Sequence, residues 1–578
     1  MAHSRKDGFA TRSTRFANWL AAWRASHSRA ATGFVSQPEP RSIGLFARGK
    51  QMIAGNFLLA GHLIEAPGKP IWDVPTTAPD FWQEAHGFAW LDDLAAVGDL
   101  VARKRAQDWT WAWIARFGKG RGPGWTPDLT GRRLIRWINH AIYLMNGQSS
   151  ADNAVYFRAL TVQTMFLSRR WKAAAPGLPR FEALTGLIYA GLALTGMENL
   201  VEPAIAALAR ECEAEIDEDG GIPTRNPEEL LEVFTLLTWA AQALGEAGKI
   251  VPQAHRAAIQ RIAPTLRSLR HADGSLARFH GGGRGMEGRL DRALAVSGVK
   301  AVPGTGPAMG FLRLSGGRTT VIIDASDPPG GRAGGSAHAS TLAFEMTSGR
   351  RSVIVSCGSG TPFGAEWHRA GRATPSHSTL SVEGYSSSRL NRSSPEVLAD
   401  RSHVGQTRPS ETAEGHILRI SQDGWVRTHG LTHSRLLLMS PDGRHLGGQD
   451  ELRAIKPDDR TKLALVMQRN SQARVRFSIR FHLHPDVDAN IDLGGAAISL
   501  ALKSGEIWIF RHSGSEGMSL EPSVYLEKGR LSPRASKQIV LSGHVDAFDA
   551  MIGWTLSKAQ DTPLAIRDLE REDVPIEI

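Results

Sequence analysis

The run AHASTLAFEMTSGRRSVIVSCGSG (337–360), followed by RATPSHSTLSVEGYSSS (372–388), decides the fold of the C-terminal half. Apolar residues alternate over short stretches divided by glycine, proline and serine, the period-two pattern of half-buried strands. The same run carries His338 and His377, so strand pairing can gather two imidazoles on one face. Two converging imidazoles hold a metal, work as acid and base, or satisfy internal hydrogen-bond demand.

Outward from this run, the period of two recurs in RTTVIIDAS, HSRLLLMS, RVRFSIRFHLH, AAISLALKSGEIWIF and SKQIVLSG. These strands predict a large antiparallel sandwich over 303–578. Upstream, over 46–302, helical spacing dominates. FEALTGLIYAGLALTG (181–196) is apolar almost all round and reads as a buried helix. NPEELLEVFTLLTWAAQALGEAG (226–248) opens with Asn226 as N-cap and Pro227 at the first helical position. Residues 1–45 form an amphipathic, arginine-rich leader, expected to be partly disordered. The fold class is therefore α+β and multidomain, helices first and sandwich second.

Of sixteen tryptophans, eleven lie within the first 171 residues. Most are expected to pack between helices, because aromatic rings bury large areas. In DWTWAWIARFG, Trp109, Trp111 and Trp113 cannot all face one side of a helix, which leaves at least one, with Trp113 the candidate, to stack on a ligand such as a sugar.

The net charge is +10, from 68 lysines and arginines against 58 acids. That excess favours a polyanionic partner: acidic polysaccharide, nucleic acid or a membrane surface. It is spread along the chain, with no helix-turn-helix, zinc-finger or RNP signature, which argues against nucleic acid. The two cysteines, Cys212 and Cys357, lie far apart and indicate no disulfide framework. No apolar run is long enough for a signal peptide core or a transmembrane span. By sequence alone the cytoplasm is the compartment expected, and the oligomeric state is not legible.

Several motifs in order resemble the heparinase II/III family. The helical half contributes FWQEAHGFAWLDDL (81–94), RRLIRWINH (132–140), DGGIPTRNPEELLE (219–232) and FHGGG (279–283). The strand half contributes AHASTLAFEM, RATPSHSTL, DGWVRTHGLTHSRLLL, RFHLHP and QIVLSG. The resemblance implies an incomplete (α/α) toroid followed by a β-sandwich. It also implies a cleft between the two, an acidic polysaccharide substrate, and a cell-envelope or periplasmic location. The implied activity is β-elimination next to a uronic acid. That chemistry needs a group to neutralise the carboxylate, a base for the C5 proton and an acid for the leaving oxygen.

Carried over residue by residue, the resemblance is incomplete. The family's His-Gly-His-Ala-Asp motif falls on Ser336, Ala337, His338, Ala339 and Ser340, so its catalytic histidine is missing. The zinc ligands it implies are His338 and His377. The acidic ligand between them falls on Ser356, and His433 is the outside candidate to complete the shell. The catalytic tyrosine falls near Arg225 to Glu229, where no tyrosine occurs. The neutralising pair falls on LPRF (178–181), which offers Arg180. His280 and His377 are then the candidate bases, Arg225 and Asn226 the candidate carboxylate grip, and Arg372 a further partner for an anionic sugar. His482 and His484 alternate in RFHLHP and are read as structural. Two readings stand: a lyase, or a polysaccharide-binding or assembly protein that keeps the fold without the elimination machinery.

Overall fold

The computed structural model describes residues 2–35, 40–302, 304, 306–391, 396–405, 407–470 and 473–560. Residues 36–39, within the stretch read as a leader, and the end of the predicted sandwich domain beyond 560 lie outside them.

The chain divides into two compact units. The first holds residues 1–217, 232–261 and 293–299, and it is helical. Its interior is aromatic: Trp90, Trp109, Trp113 and Trp137 are fully buried. Phe88 packs against Trp90 and Trp137 at centroid distances of 4.6 and 5.3 Å. Helices Pro127–Asn139 and Leu178–Ala193 cross where Gly131 faces Gly186. A Cβ on Gly131 would stand 2.2 Å from the Glu182 carbonyl oxygen, and one on Gly186 2.5 Å from the Gly131 Cα. The crossing is backbone against backbone. The segment read as a leader begins as a helix, Ala2–Ala25, whose Ala22 and Ala25 are fully buried.

The second unit holds residues 218–231, 262–292 and everything from 300 onward. Two stretches placed by sequence in the 46–302 helical domain thus pack with the strands. One sheet runs in the order 408–412, 415–425, 431–439, 445–453, 549–560, 507–513, 497–501, 488–492. The other runs 517–525, 534–545, 475–483, 351–355, 344–348, 319–324, 311–316, with 380–382 also against 475–483. Pairing is antiparallel throughout, as the period of two predicted. Phe344 stacks on Trp554 from the opposite sheet at 5.7 Å, and Phe481 meets the same indole at 4.8 Å.

One buried ion pair ties the layers. Asp450 Oδ1 accepts from Arg435 Nε at 2.8 Å, and Oδ2 accepts from Trp554 Nε1 at 2.9 Å. Arg435 Nη1 then donates to the carbonyls of Leu342 (2.7 Å) and Ser378 (3.0 Å), which lead into strands of the other sheet. Burial raises the Asp450 pKa, but Arg435 and His433 outweigh it and hold the carboxyl well below its usual range. Removing one partner of a buried pair strands the other charge. Asp450→Ala is expected to lower the unfolding free energy of the full chain by about 3–5 kcal/mol in a denaturant titration.

Candidate functional site

Most of the predicted site residues gather at one end of the second sheet, just outside its strands. His338 follows the 3-10 turn Gly331–Ser336, and His377 follows Thr374–Ser376. Ser356 comes immediately after strand Arg351–Val355 and Asp324 ends strand Thr319–Asp324. The histidines therefore sit in turns beside strands instead of within them, as the alternation had suggested. His280 comes from the FHGGG loop and Arg225 immediately precedes the helix cap, both with left-handed φ (47° and 50°). That loop is rich in glycine because the start of helix Pro227–Glu246 packs on it. A Cβ on Gly282 would stand 2.6 Å from Asn226 Oδ1, and the Gly283 N–H donates to Glu228 at 2.9 Å.

At the centre is Asp324, fully buried. Its Oδ1 accepts from Arg225 Nη2 at 2.6 Å and its Oδ2 from Ser340 Oγ at 2.6 Å. Burial would raise this carboxyl; Arg225, His280 and Ser340 outweigh burial and keep it ionised, far below its usual range. His280 Nε2 faces the same carboxylate at 3.4 Å, a charge–dipole contact outside hydrogen-bond geometry. The His338 main-chain N–H donates to His280 Nδ1 at 3.2 Å. That nitrogen is thus unprotonated, and the neutral ring carries its proton on Nε2, towards Asp324.

A second chain of contacts leads away. His338 Nδ1 lies 3.3 Å from His377 Nε2, and His377 Nδ1 lies 3.0 Å from Ser356 Oγ. Either Ser356 donates towards His338 through the rings, or the order reverses. In either order the two rings and the hydroxyl form one hydrogen-bonded chain. His377 and Ser356 are fully buried and His338 is 3% exposed. Burial pushes His377 down to about 3, with His482 and His280 adding to it, and it pushes His338 well down also. All three rings are neutral near pH 7.

The candidate grip on a carboxylate is otherwise engaged. Arg225 spends its guanidinium on Asp324 and on the carbonyls of Met309, Gly310, Ser326 and Asp327. Asn226 is the helix cap, its Oδ1 accepting from the N–H groups of Glu228 (3.0 Å) and Glu229 (3.2 Å). Arg372 is buried and clamps the turn before His338, donating to the carbonyls of Ala337 and Gly334. Arg180 and Trp113 belong to the helical unit. Arg180 pairs with Glu211 at 3.2 Å. Trp113, expected to stack on a sugar, is fully buried, with Arg133 over its face at 4.1 Å and its Nε1 donating to His86. Of its two neighbours in that stretch, Trp109 is buried and Trp111 half-buried, with one face stacked on Tyr156.

His433 belongs to the Arg435–Asp450 network, 2.7 Å from Asp450. The donor set around His338 and His377 is therefore two imidazoles and a serine hydroxyl, short of the three protein ligands zinc usually takes. Among the described residues, no three His, Cys, Asp or Glu side chains are grouped to hold a metal ion. The residues do not fit the zinc implied by the resemblance.

Sequence reasoning passed over Asp324 and its neighbour Glu345. Asp324 closes the apolar run TTVIID, and an acid ending a buried strand is the signal that marks it. Glu345 accepts from the main-chain N–H groups of Arg278 (3.0 Å) and Ser356 (3.3 Å) and from His271 (3.2 Å). It lines a small polar pocket with His271, Arg278, Arg284, His484 and Tyr525.

Because His377 titrates far lower folded than unfolded, the unfolded chain binds the extra proton between about pH 6.5 and 3. The stabilisation is complete above that window and is lost as pH falls through it. His377→Gln is expected to reduce the slope of stability against pH there by about 1.4 kcal/mol per unit, read from denaturant titrations across the window.

Residues 300–555 match the family model described as Heparinase II/III-like, C-terminal. FtsZ-localized protein C of Caulobacter vibrioides is 31% identical over 541 residues, covering 91% of both chains. Among solved structures, heparinase III aligns with a TM-score of 0.68 at 13% identity, over 96% of this chain and 91% of its own. A mutant heparan sulfate lyase from Pedobacter heparinus aligns with a TM-score of 0.59 at 13% identity, over 95% and 89%. At that identity the likeness is one of fold. Taken together, the family match and the full-length relative show that this chain belongs to the heparinase II/III family.

Proposed function

We propose that this heparinase-fold protein binds an acidic polysaccharide without cleaving it. The observation that carries this reading is the commitment of the candidate elimination groups to internal partners. Arg225 and Asn226 hold the backbone, both His280 nitrogens turn inward, and His377 is sealed between Ser356 and His338. β-Elimination requires a base within reach of C5 and a donor on the carboxylate, and these groups are spent elsewhere. Binding falls instead to the polar pocket beside Glu345, where Arg284 is exposed and the buried His271 keeps an unpartnered Nδ1.

Elimination is the second reading, favoured by the fold and by the retained His338–His377 pair. A panel of uronate-containing polymers separates the two. The expected outcome is retention on affinity gels with no rise in the ultraviolet absorbance of a C4=C5 double bond. A sustained rise, lost in His377→Ala, would establish the lyase. Arg284→Ala is expected to weaken retention by about two- to fivefold at low salt and less at high salt, where exposed charges are screened.

The relative's name suggests where this chain works. We propose that this chain, like that relative, localises with FtsZ, and that this brings it to the cell envelope. A fluorescent fusion in the native cell is expected to gather at midcell during constriction; uniform cytoplasmic signal would refute the placement.

A further inference from the structure

The last turns of helix Ala2–Ala25, from Phe16 to Ala25, carry a small-residue face and an aromatic face. Its inner face is made of small residues: Asn18, Ala21, Ala22 and Ala25 are buried. Asn18 Nδ2 donates to the Trp125 carbonyl and its Oδ1 accepts from Arg170 Nε, both at 2.9 Å. A Cβ on Gly120 would stand 2.7 Å from the Ala22 methyl, so the helix lies as close to its support as side chains permit. The outer face is aromatic. Phe16, Trp19 and Trp23 are 62%, 42% and 49% exposed, and spacings of three and four residues put them on one side. Exposed Arg12, Arg15 and Arg24 lie on the same helix around them.

A helix that rests on a soluble body ordinarily shows polar side chains to water. Rolling this one over would not hide its rings, because an indole would then enter the space where Gly120 already meets an alanine methyl. The outward aromatic stripe is thus fixed by the tight inner face. Its chemistry also selects the occupant. Tryptophan settles at the level of lipid headgroups, and interleaved guanidinium groups pair with phosphate and carry the charge that draws a helix to an anionic leaflet. No described helix is long and apolar enough to cross a membrane, so the contact would be one of surface docking.

We propose that the Phe16–Trp19–Trp23 face, with its arginines, docks the protein flat on an anionic lipid bilayer. The full chain is mixed with extruded vesicles of phosphatidylcholine alone or with added phosphatidylglycerol, and bound protein is separated by sedimentation. The expected result is binding to the anionic vesicles, weakening with salt, and a blue shift of tryptophan emission. Combined Phe16→Ala, Trp19→Ala and Trp23→Ala is expected to reduce partitioning roughly tenfold or more, with an unchanged melting curve. Arg12→Glu with Arg15→Glu should lower binding to anionic vesicles specifically. Trp19→Gln alone, which preserves the helix, is expected to shift partitioning the same way and keeps the test decisive if the triple variant melts early. Equal partitioning by the variants, or no binding of the intact chain at low salt, would overturn the proposal. So would a concentration-dependent dimer in sedimentation velocity that the triple variant abolishes, which would assign the face to a second copy.

Discussion

A carboxylate shut away from water stays ionised only if the protein supplies its counter-charge, and Asp324 receives it from Arg225. The rest of the candidate site follows from that pairing. Arg225 adopts a left-handed backbone and reaches four carbonyls while holding the acid, which brings the loop before helix Pro227–Glu246 against the end of a strand. Asp324 then orients Ser340 and faces His280, whose remaining nitrogen takes the main-chain N–H of His338. The imidazoles are positioned from below by charge and from behind by hydrogen bonds. Groups so fully engaged make a firm scaffold.

The same device recurs in the sandwich. Arg435 and Asp450 are both buried, and the arginine spends its remaining donors on carbonyls of the facing sheet. Hydrophobic contact between Phe344, Phe481 and Trp554 supplies area without direction. The arginine supplies direction, fixing which carbonyls oppose which strand. Two buried pairs, one in the interior and one at the sheet end, thus set register and loop placement respectively.

Much of the architecture was legible in the residues. Period-two alternation after 303 and helical spacing before it correspond to the sheets and helices observed, and Asn226 with Pro227 reads as a helix start because capping is a local interaction. The site was legible only in part. His338, His377 and Ser356 lie close in sequence and meet in the turns at one end of the sheet, so their convergence could be read although their place within strands could not. Asp324 could not, since its importance comes from Arg225, ninety-nine residues away. Nor could the fate of Trp113: spacing shows that three rings cannot share one face, but not which face is packed, and this indole is enclosed by Arg133 and His86. The boundary between units was hidden for the same reason, because residues 218–231 and 262–292 have helical or loop sequence yet pack with strands.

The crossing of Gly131 and Gly186 has a consequence for how this family member can change over time. Each missing methyl is required by main-chain atoms of the opposing helix, and main chain cannot be substituted away. A lapse at one position therefore has no remedy at the other, unlike a large-to-small swap in an ordinary core, where a neighbour can grow to compensate. Drift in the helical unit is free to rework its tryptophans pairwise, but it must pass this point with both glycines intact.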